Sequence, residues 1–258
     1  MAERATTVRH VTHRIRPNSD VTSAAHKFCS VSARLILVHS PLVGPGTWKA
    51  LSVDLAKRGQ DFSLVDLTQS VSGDPPYVTR QIDAIVASVT GDEVILVGHS
   101  GAGPLLAAAG ERIAQLVGYI FVDAGMPHPS QSWMDVVPPE LATRINDMAR
   151  NQWLPSWSKW WGPDALLELL PDAEIRDNFI NDCPELPLAM FLEKHPAIST
   201  WPNAPGAYLL LSEPYIEAAT QAEGYGWPVV TKMSNHLALL SDPHKIVGPL
   251  VELARQLQ

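Results

Sequence analysis

Cysteine is scarce in this chain, which has only Cys29 and Cys183 among its 258 residues. Two distant cysteines make neither a disulfide framework nor a cysteine-rich metal cluster, so we expect a reducing, cytoplasmic compartment and no bound metal. The nine histidines are scattered, without the i, i+4 spacing of a helical zinc site. Long apolar runs are also lacking. Because a membrane-spanning helix needs ~20 apolar residues, we expect no membrane partner.

Positive charge is in short supply as well. Lys and Arg number 19 against 27 Asp and Glu, which gives a net charge of −8. Such a balance argues against a nucleic-acid partner and leaves a small molecule as the expected ligand. Hydrophobic residues make up 46% of the chain and charged residues 18%, a composition typical of a globular enzyme. A chain of this length fits one domain with an insertion.

The N-terminal residues 1–32 are mostly basic, Ser- and Thr-rich, and show no clear periodicity. We interpret them as an N-terminal arm, an extra edge strand around residues 7–15, or an extension before the true start. An organelle-targeting peptide is less favoured because no long amphipathic helix is present, and the absence of an apolar segment argues against secretion.

Buried-strand patterns alternate with amphipathic helical patterns through most of the remaining chain. Strands are predicted at residues 34–38, 62–67, 94–98, 116–122, 207–211 and 229–232. This alternation predicts an α/β protein with a mainly parallel, doubly wound sheet covered by helices on both faces. We expect the core to comprise residues 33–125 and 204–258.

The rhythm changes between residues 126 and 203, where prolines and six of the eight tryptophans gather. We expect an inserted helical cap, with short helices around residues 141–148 and after residue 163. The large aromatic side chains either attach this cap to the core or line a substrate pocket. As candidate pocket residues we name Trp157, Trp161 and, from the first loop of the core, His39.

The most informative stretch runs from the apolar segment 94–98 through Ser100 into a second apolar segment. Ser100 stands between small residues in the order Gly98-His99-Ser100-Gly101-Ala102-Gly103. A strand, a tight turn and a helix would lift the serine to the carboxyl end of the sheet as a nucleophile. A phosphate-binding loop would need a lysine here, and a dinucleotide turn would need the order G-x-G-x-x-G.

These features resemble the α/β-hydrolase family, in the branch of plant methylesterases, hydroxynitrile lyases and small bacterial hydrolases. The resemblance covers residue 34 to the end and is weakest across the cap. In that fold the nucleophile, acid and histidine follow one another along the chain, as Ser100, Glu213 and His236 do here. We favour Glu213, directly after strand 207–211, although Pro214 and Tyr215 occupy the place of the usual aspartate. Asp123, at the end of strand 116–122, is the alternative acid.

The resemblance also implies an oxyanion hole. One donor should be the N–H of Gly101, and the second should come from the first loop. The matching residue there is Pro41, which has no N–H. We therefore expect Leu42 to donate instead, or Ser40 through its N–H or hydroxyl. An incomplete hole predicts slow turnover of generic esters, because one donor contributes about 3–4 kcal/mol of transition-state stabilisation.

The function expected from these residues is that of a serine hydrolase of the carboxylesterase or thioesterase type. It would cleave an ester, thioester or related acyl bond of a small apolar molecule, with no cofactor, as a monomer or homodimer. Two alternatives stay open at this point: a lyase that uses the same residues, and a ligand-binding protein that has lost turnover.

Overall fold

The computed structural model describes residues 32–258, so the interpretations of residues 1–31 lie outside the described residues. Three segments each follow a strand of one sheet. They are the first loop (residues 39–46), the turn that carries Ser100 (residues 98–103, here called the elbow) and the loop that carries His236. The strands are β1 (Arg34–Val38), β2 (Phe62–Val65), β3 (Val94–His99), β4 (Leu116–Val122), β5 (Trp153–Leu154), β6 (Leu186–Pro187), β7 (Gly206–Leu210) and β8 (Val229–Thr231). Six of them form a sheet in the order β2-β1-β3-β4-β7-β8, and every pair in it is parallel.

Helices connect these strands. They are α1 (Lys49–Lys57), α2 (Tyr77–Ala87), α3 (Gly103–Gly110), α4 (Trp133–Val136), α5 (Pro139–Met148), α6 (Pro163–Leu169), α7 (Ala173–Asp182), α8 (Leu188–Leu192), α9 (Ile216–Gly224), α10 (Ala238–Ser241) and α11 (Pro243–Gln256). Short 3-10 helices lie at Pro45–Trp48, Thr68–Val71, Ser100–Ala102, Trp157–Lys159 and Glu213–Tyr215. Among residues 32–258, none of the helices combines the length and the apolar character that a bilayer crossing requires.

The central strands are buried on both faces. Leu35 and Leu37 of β1 belong to one apolar cluster with residues of α1 and α11, whereas Ile36 belongs to another with residues of α2 and α3. Successive side chains of a strand point to opposite faces, so helices on both sides give each strand a continuous apolar sequence. The predicted α/β class with a mainly parallel, doubly wound sheet is confirmed.

The cap segment, residues 126–203, lies between β4 and β7. It contains α4 to α8 and the small antiparallel pair of β5 and β6. Its contacts with the core include carboxylates that accept backbone N–H groups: Glu193 accepts those of Tyr77 and Val78 at the start of α2, at 2.6 and 3.0 Å. The division into core and cap domains stays a prediction, but these contacts attach the cap segment to the start of α2.

Candidate active site

The nucleophile candidate sits on a strained turn. Ser100 follows β3 directly and has φ of 57°, a left-handed conformation that is costly for a residue other than glycine. The neighbours leave no room for larger side chains: a Cβ on Gly98 would lie 2.9 Å from Leu106, and one on Gly103 would lie 2.0 Å from the Gly125 carbonyl. The small residues of the elbow are therefore required by close packing.

The sequence prediction that His236 meets Ser100 agrees with the geometry. His236 lies in the loop between β8 and α10, and its Nε2 is 3.0 Å from the Ser100 Oγ. Two aromatic rings hold the imidazole between them. The Tyr215 ring stacks on it at 4.9 Å between centroids, and the His99 ring at 4.6 Å. The contact brings together residues 136 positions apart in the chain.

Asp123 supplies the carboxylate on the other side of the imidazole. Its Oδ2 lies 2.7 Å from the His236 Nδ1 and accepts the Ser212 hydroxyl at 2.5 Å. Its Oδ1 accepts the N–H groups of Leu211 and Ser212, at 2.8 and 3.0 Å. Burial by itself raises the pKa of Asp123, but the hydrogen bonds and the nearby imidazole outweigh it and hold this pKa below its usual value. The carboxylate is therefore fully partnered and ionised.

This geometry corrects our preference for Glu213 as the acid. Glu213 is exposed, at the first position of the 3-10 helix Glu213–Tyr215. The turn after β7 instead presents its backbone N–H groups to Asp123. Among residues 32–258, the carboxylate that is hydrogen-bonded to the His236 ring is thus that of Asp123, which the sequence analysis gave as the alternative acid.

Tyr215 is a site residue that sequence reasoning did not select. Its hydroxyl lies 3.2 Å from the Ser100 Oγ. Burial and, to a smaller extent, the Asp123 charge outweigh the hydrogen bond with Ser100 and raise the pKa of this phenol to about 12. Its position was a signal, because it stands where the family's usual aspartate is expected. We overlooked it because an aromatic residue is usually interpreted as a hydrophobic one and its hydroxyl is then ignored.

His99 packs against the His236 ring and binds its backbone. Its ring is buried, and its Nε2–H donates to the backbone carbonyl of His236 at 3.0 Å. Burial and, to a smaller extent, the charge of His236 lower the pKa of His99 to about 3. His99 is therefore neutral.

Two of the three predicted pocket residues lie elsewhere. His39 is completely buried; its Nδ1–H donates to the Ser40 carbonyl at 2.8 Å, and its Nε2 accepts the Leu67 N–H at 2.9 Å. Both ring nitrogens are thus used to fix the first loop. Trp161 is 43% exposed and packs under the Arg144 guanidinium. Only Trp157 approaches the site, with its ring 6.3 Å from that of His236.

A small cleft beside the elbow has a cavity volume of about 40 Å³. Its lining is mostly apolar and combines the first loop with the cap segment: Pro41, Leu42, Gly101, Trp133, Met190 and Phe191. Gln81 and His195 add polar groups. Within residues 32–258, no three His, Cys, Asp or Glu side chains are grouped to hold a metal ion.

The first loop approaches the elbow with few free donors. The Leu42 N–H donates to the Ser40 Oγ at 3.2 Å. That Oγ would lie 2.8 Å from a Cβ on Gly101, so the Ser40 hydroxyl is next to the expected oxyanion donor. Since the Ser40 oxygen accepts from Leu42, its own proton is available to point elsewhere. The N–H that we expected Leu42 to offer is thus already engaged.

Comparison with known proteins relates this site to a family. The model of the alpha/beta hydrolase family matches residues 35–248. No curated protein matches the sequence. Among solved structures, an extracellular alpha/beta-hydrolase from a Paenibacillus species shares 19% identity with a TM-score of 0.69, covering 86% of this chain and 99% of that one.

Two further similar structures come from proteins with different names. A variant of polyneuridine aldehyde esterase is 20% identical, with a TM-score of 0.64 over 87% of this chain and 99% of that one. Tomato methylketone synthase I, complexed with 2-tridecanone, is 18% identical, with a TM-score of 0.64 over 88% and 99%. The expected resemblance is confirmed. The chain therefore belongs to the alpha/beta hydrolase family, which also confirms the predicted class of enzyme, a hydrolase.

Proposed function

We propose that this protein is a serine hydrolase that cleaves an ester, thioester or related acyl bond of a small apolar molecule. One observation carries the proposal. Ser100, His236 and Asp123 form an unbroken chain of hydrogen bonds, with distances of 3.0 Å and 2.7 Å. A serine hydroxyl is a weak nucleophile at neutral pH, so it needs an oriented neutral imidazole to take its proton.

The acylation step follows from these contacts. The Ser100 Oγ attacks the acyl carbon while its proton passes to the His236 Nε2. The Asp123 carboxylate stabilises the resulting imidazolium and keeps its Nδ1–H directed correctly. The tetrahedral adduct then expels the leaving group, which takes the proton from His236, and the acyl group stays on Ser100. Water activated by His236 completes the cycle.

The negative charge on the substrate oxygen needs donors on the side of the first loop. We assign this role to the Gly101 N–H and to the Ser40 hydroxyl, which lies against Gly101 and is polarised by the Leu42 N–H. A hydroxyl is a less rigid donor than a backbone N–H, since it must be oriented by rotation. This arrangement supports slow turnover of generic esters.

The cleft supports the substrate class. Its apolar lining favours an alkyl or aromatic acyl group, and Gln81 offers an amide whose Nε2 donates to the Met190 sulfur at 3.3 Å. A thioether is a weak acceptor. One polar group on an otherwise apolar substrate would satisfy this amide better. The cytoplasmic location and the monomeric or homodimeric state stay predictions.

The test is hydrolysis of p-nitrophenyl esters of graded acyl length by wild type, Ser100→Ala and Ser88→Ala. Ser88 ends α2, away from the elbow, and serves as the matched serine control. We expect slow turnover by wild type and Ser88→Ala, highest for short or medium acyl chains, and none above background for Ser100→Ala. Equal rates for wild type and Ser100→Ala would refute the proposed nucleophile.

The missing N–H at Pro41 favours a second candidate, a lyase or a ligand-binding protein on the same scaffold. Both need less stabilisation of an acyl oxyanion than a hydrolase does. A wild-type protein that binds apolar ligands but forms no acyl-enzyme would support this candidate over the hydrolase.

A further inference from the structure

Tyr215 contacts two members of the proposed triad at once. Its hydroxyl lies 3.2 Å from the Ser100 Oγ. Its ring stacks on that of His236, with 4.9 Å between centroids and 6° between planes. The 3-10 helix that carries it, Glu213–Tyr215, follows the turn whose N–H groups bind Asp123. The tyrosine is therefore held against both the nucleophile and the base.

The direction of its hydrogen bond follows from counting protons. The Asp123 carboxylate is ionised and can only accept, so the His236 Nδ1 carries a proton and donates it to Asp123. The Nε2 of the neutral ring is then an acceptor for the single hydroxyl proton of Ser100. The Ser100 oxygen is left to accept, and the Tyr215 hydroxyl is the donor. With a pKa raised to about 12 by burial, that hydroxyl keeps its proton at neutral pH.

We infer that Tyr215 is a further catalytic residue, whose hydroxyl donates to the Ser100 Oγ and accelerates release of that oxygen from the acyl-enzyme. This inference rests on the proposed function. In deacylation, water gives a proton to the His236 Nε2 and its oxygen bonds to the acyl carbon. The bond between that carbon and Oγ then breaks, its electron pair stays on Oγ, and Oγ takes the proton back from His236. Tyr215 gives up no proton.

The hydrogen bond favours deacylation over acylation because the acceptor strength of Oγ changes. An ester oxygen is a poor acceptor, whereas an oxygen that receives an electron pair is a strong one. The Tyr215 hydroxyl therefore binds Oγ more tightly as the acyl group leaves. In acylation the change runs the other way, so the same hydrogen bond gives no acceleration there.

The experiment compares wild type, Tyr215→Phe and Tyr225→Phe with p-nitrophenyl acetate, by pre-steady-state and steady-state kinetics. Phenylalanine keeps the ring that stacks on His236 and removes only the hydroxyl. Tyr225, which is 45% exposed and ends α9, is the matched control for the same substitution. Thermal unfolding of each variant reports whether the fold is kept.

For Tyr215→Phe we expect kcat to fall about tenfold, as for one lost hydrogen bond to a charged oxygen. KM should fall at least in parallel, kcat/KM should stay unchanged or rise, and the burst of p-nitrophenol should approach one per enzyme. Unchanged kinetics, or a fall in kcat/KM, overturns the role of Tyr215 while leaving the proposed function in place. A wild type that never forms an acyl-enzyme overturns both.

Discussion

The two sides of Ser100, one facing His236 and the other facing the first loop, differ in how many groups are positioned by hydrogen bonds and packing. On the base side, the His236 ring is held at both nitrogens by Asp123 and Ser100 and on both faces by Tyr215 and His99. On the oxyanion side, the first loop has a proline where a donor is expected, and its next N–H is engaged by the Ser40 Oγ. In the proposed mechanism, this arrangement orients the base well and supplies few donors for the charge that develops on the substrate.

This contrast suggests which step limits the rate. A well-oriented base makes Ser100 reactive, but a sparse oxyanion hole leaves a high barrier for the tetrahedral adduct. Substitutions on the base side should therefore cause large losses. Substitutions on the oxyanion side should cause smaller losses, and in one case a gain.

The largest effect is expected for Asp123→Asn. An amide at this position favours the wrong tautomer of His236, so kcat/KM should fall about 10³- to 10⁴-fold. Glu213→Gln is the matched control, and it should leave kcat/KM unchanged because Glu213 is exposed. Steady-state hydrolysis of p-nitrophenyl acetate measures both. A larger loss for Glu213→Gln than for Asp123→Asn would restore Glu213 as the acid.

A smaller loss is expected for Ser40→Ala on the other side. If its hydroxyl stabilises the oxyanion, kcat should fall about 100-fold with little change in KM. The matched control is Ser52→Ala. The Ser52 hydroxyl donates to the Lys49 carbonyl within α1, at 2.8 Å, so this variant should have full activity. Equal activity of Ser40→Ala and wild type would show that the second donor lies elsewhere.

Pro41→Ala should instead raise the turnover rate. The substitution adds the N–H that the first loop lacks, next to the cleft that Pro41 lines. We expect kcat to rise about tenfold, as for one added donor to a charged oxygen. The matched control is Pro45→Ala, at the start of a 3-10 helix, which should leave kcat as in wild type. A fall in kcat for Pro41→Ala would mean that proline holds the loop in its active conformation.

The long buried strands and the turn around Ser100 could be predicted from the sequence, whereas the short elements of the cap segment could not. Strands 34–38 and 116–122 were predicted to the residue because burial on both faces makes a strand one continuous apolar run. The contact between Ser100 and His236 could be predicted because the tight turn demands small neighbours and the family order fixes the position of the histidine. Short elements of the cap segment such as α8 and β6 gave no periodic signal, since they bury few residues each.

Side-chain partners were harder to predict than elements. The acid was misjudged because both Glu213 and Asp123 follow strands, and only the turn after β7 decides between them by offering its N–H groups to Asp123. His39 and Trp161 were placed in the pocket by their residue type. Their actual contacts, with the loop backbone and with Arg144, depend on packing between distant segments.

A further prediction concerns the stability of the protein in acid, through a residue on the base side. His99 is neutral in the folded protein because burial, and then the His236 charge, lower its pKa to about 3, although nearby Asp123 opposes this. The unfolded chain binds the proton below about pH 6.5, so the free energy of unfolding should fall as pH falls from there towards 3. The contribution of this one histidine is about 1.4 kcal/mol per pH unit.

Urea unfolding of wild type and His99→Phe between pH 4 and 7 measures this slope. We expect a shallower slope for His99→Phe and the wild-type slope for His244→Gln, which changes an exposed histidine of α11. Identical slopes for wild type and His99→Phe would contradict the assignment of a neutral buried imidazole.

The central claim is that Ser100 is a nucleophile activated by His236 and Asp123. Treatment of the native protein with a fluorophosphonate, followed by peptide mapping with mass spectrometry, tests it most directly. We expect a single phosphonyl group on Ser100, with labelling strongly slowed in Asp123→Asn and at the wild-type rate in Glu213→Gln. Labelling of another serine, or no labelling of the folded wild type, would contradict it.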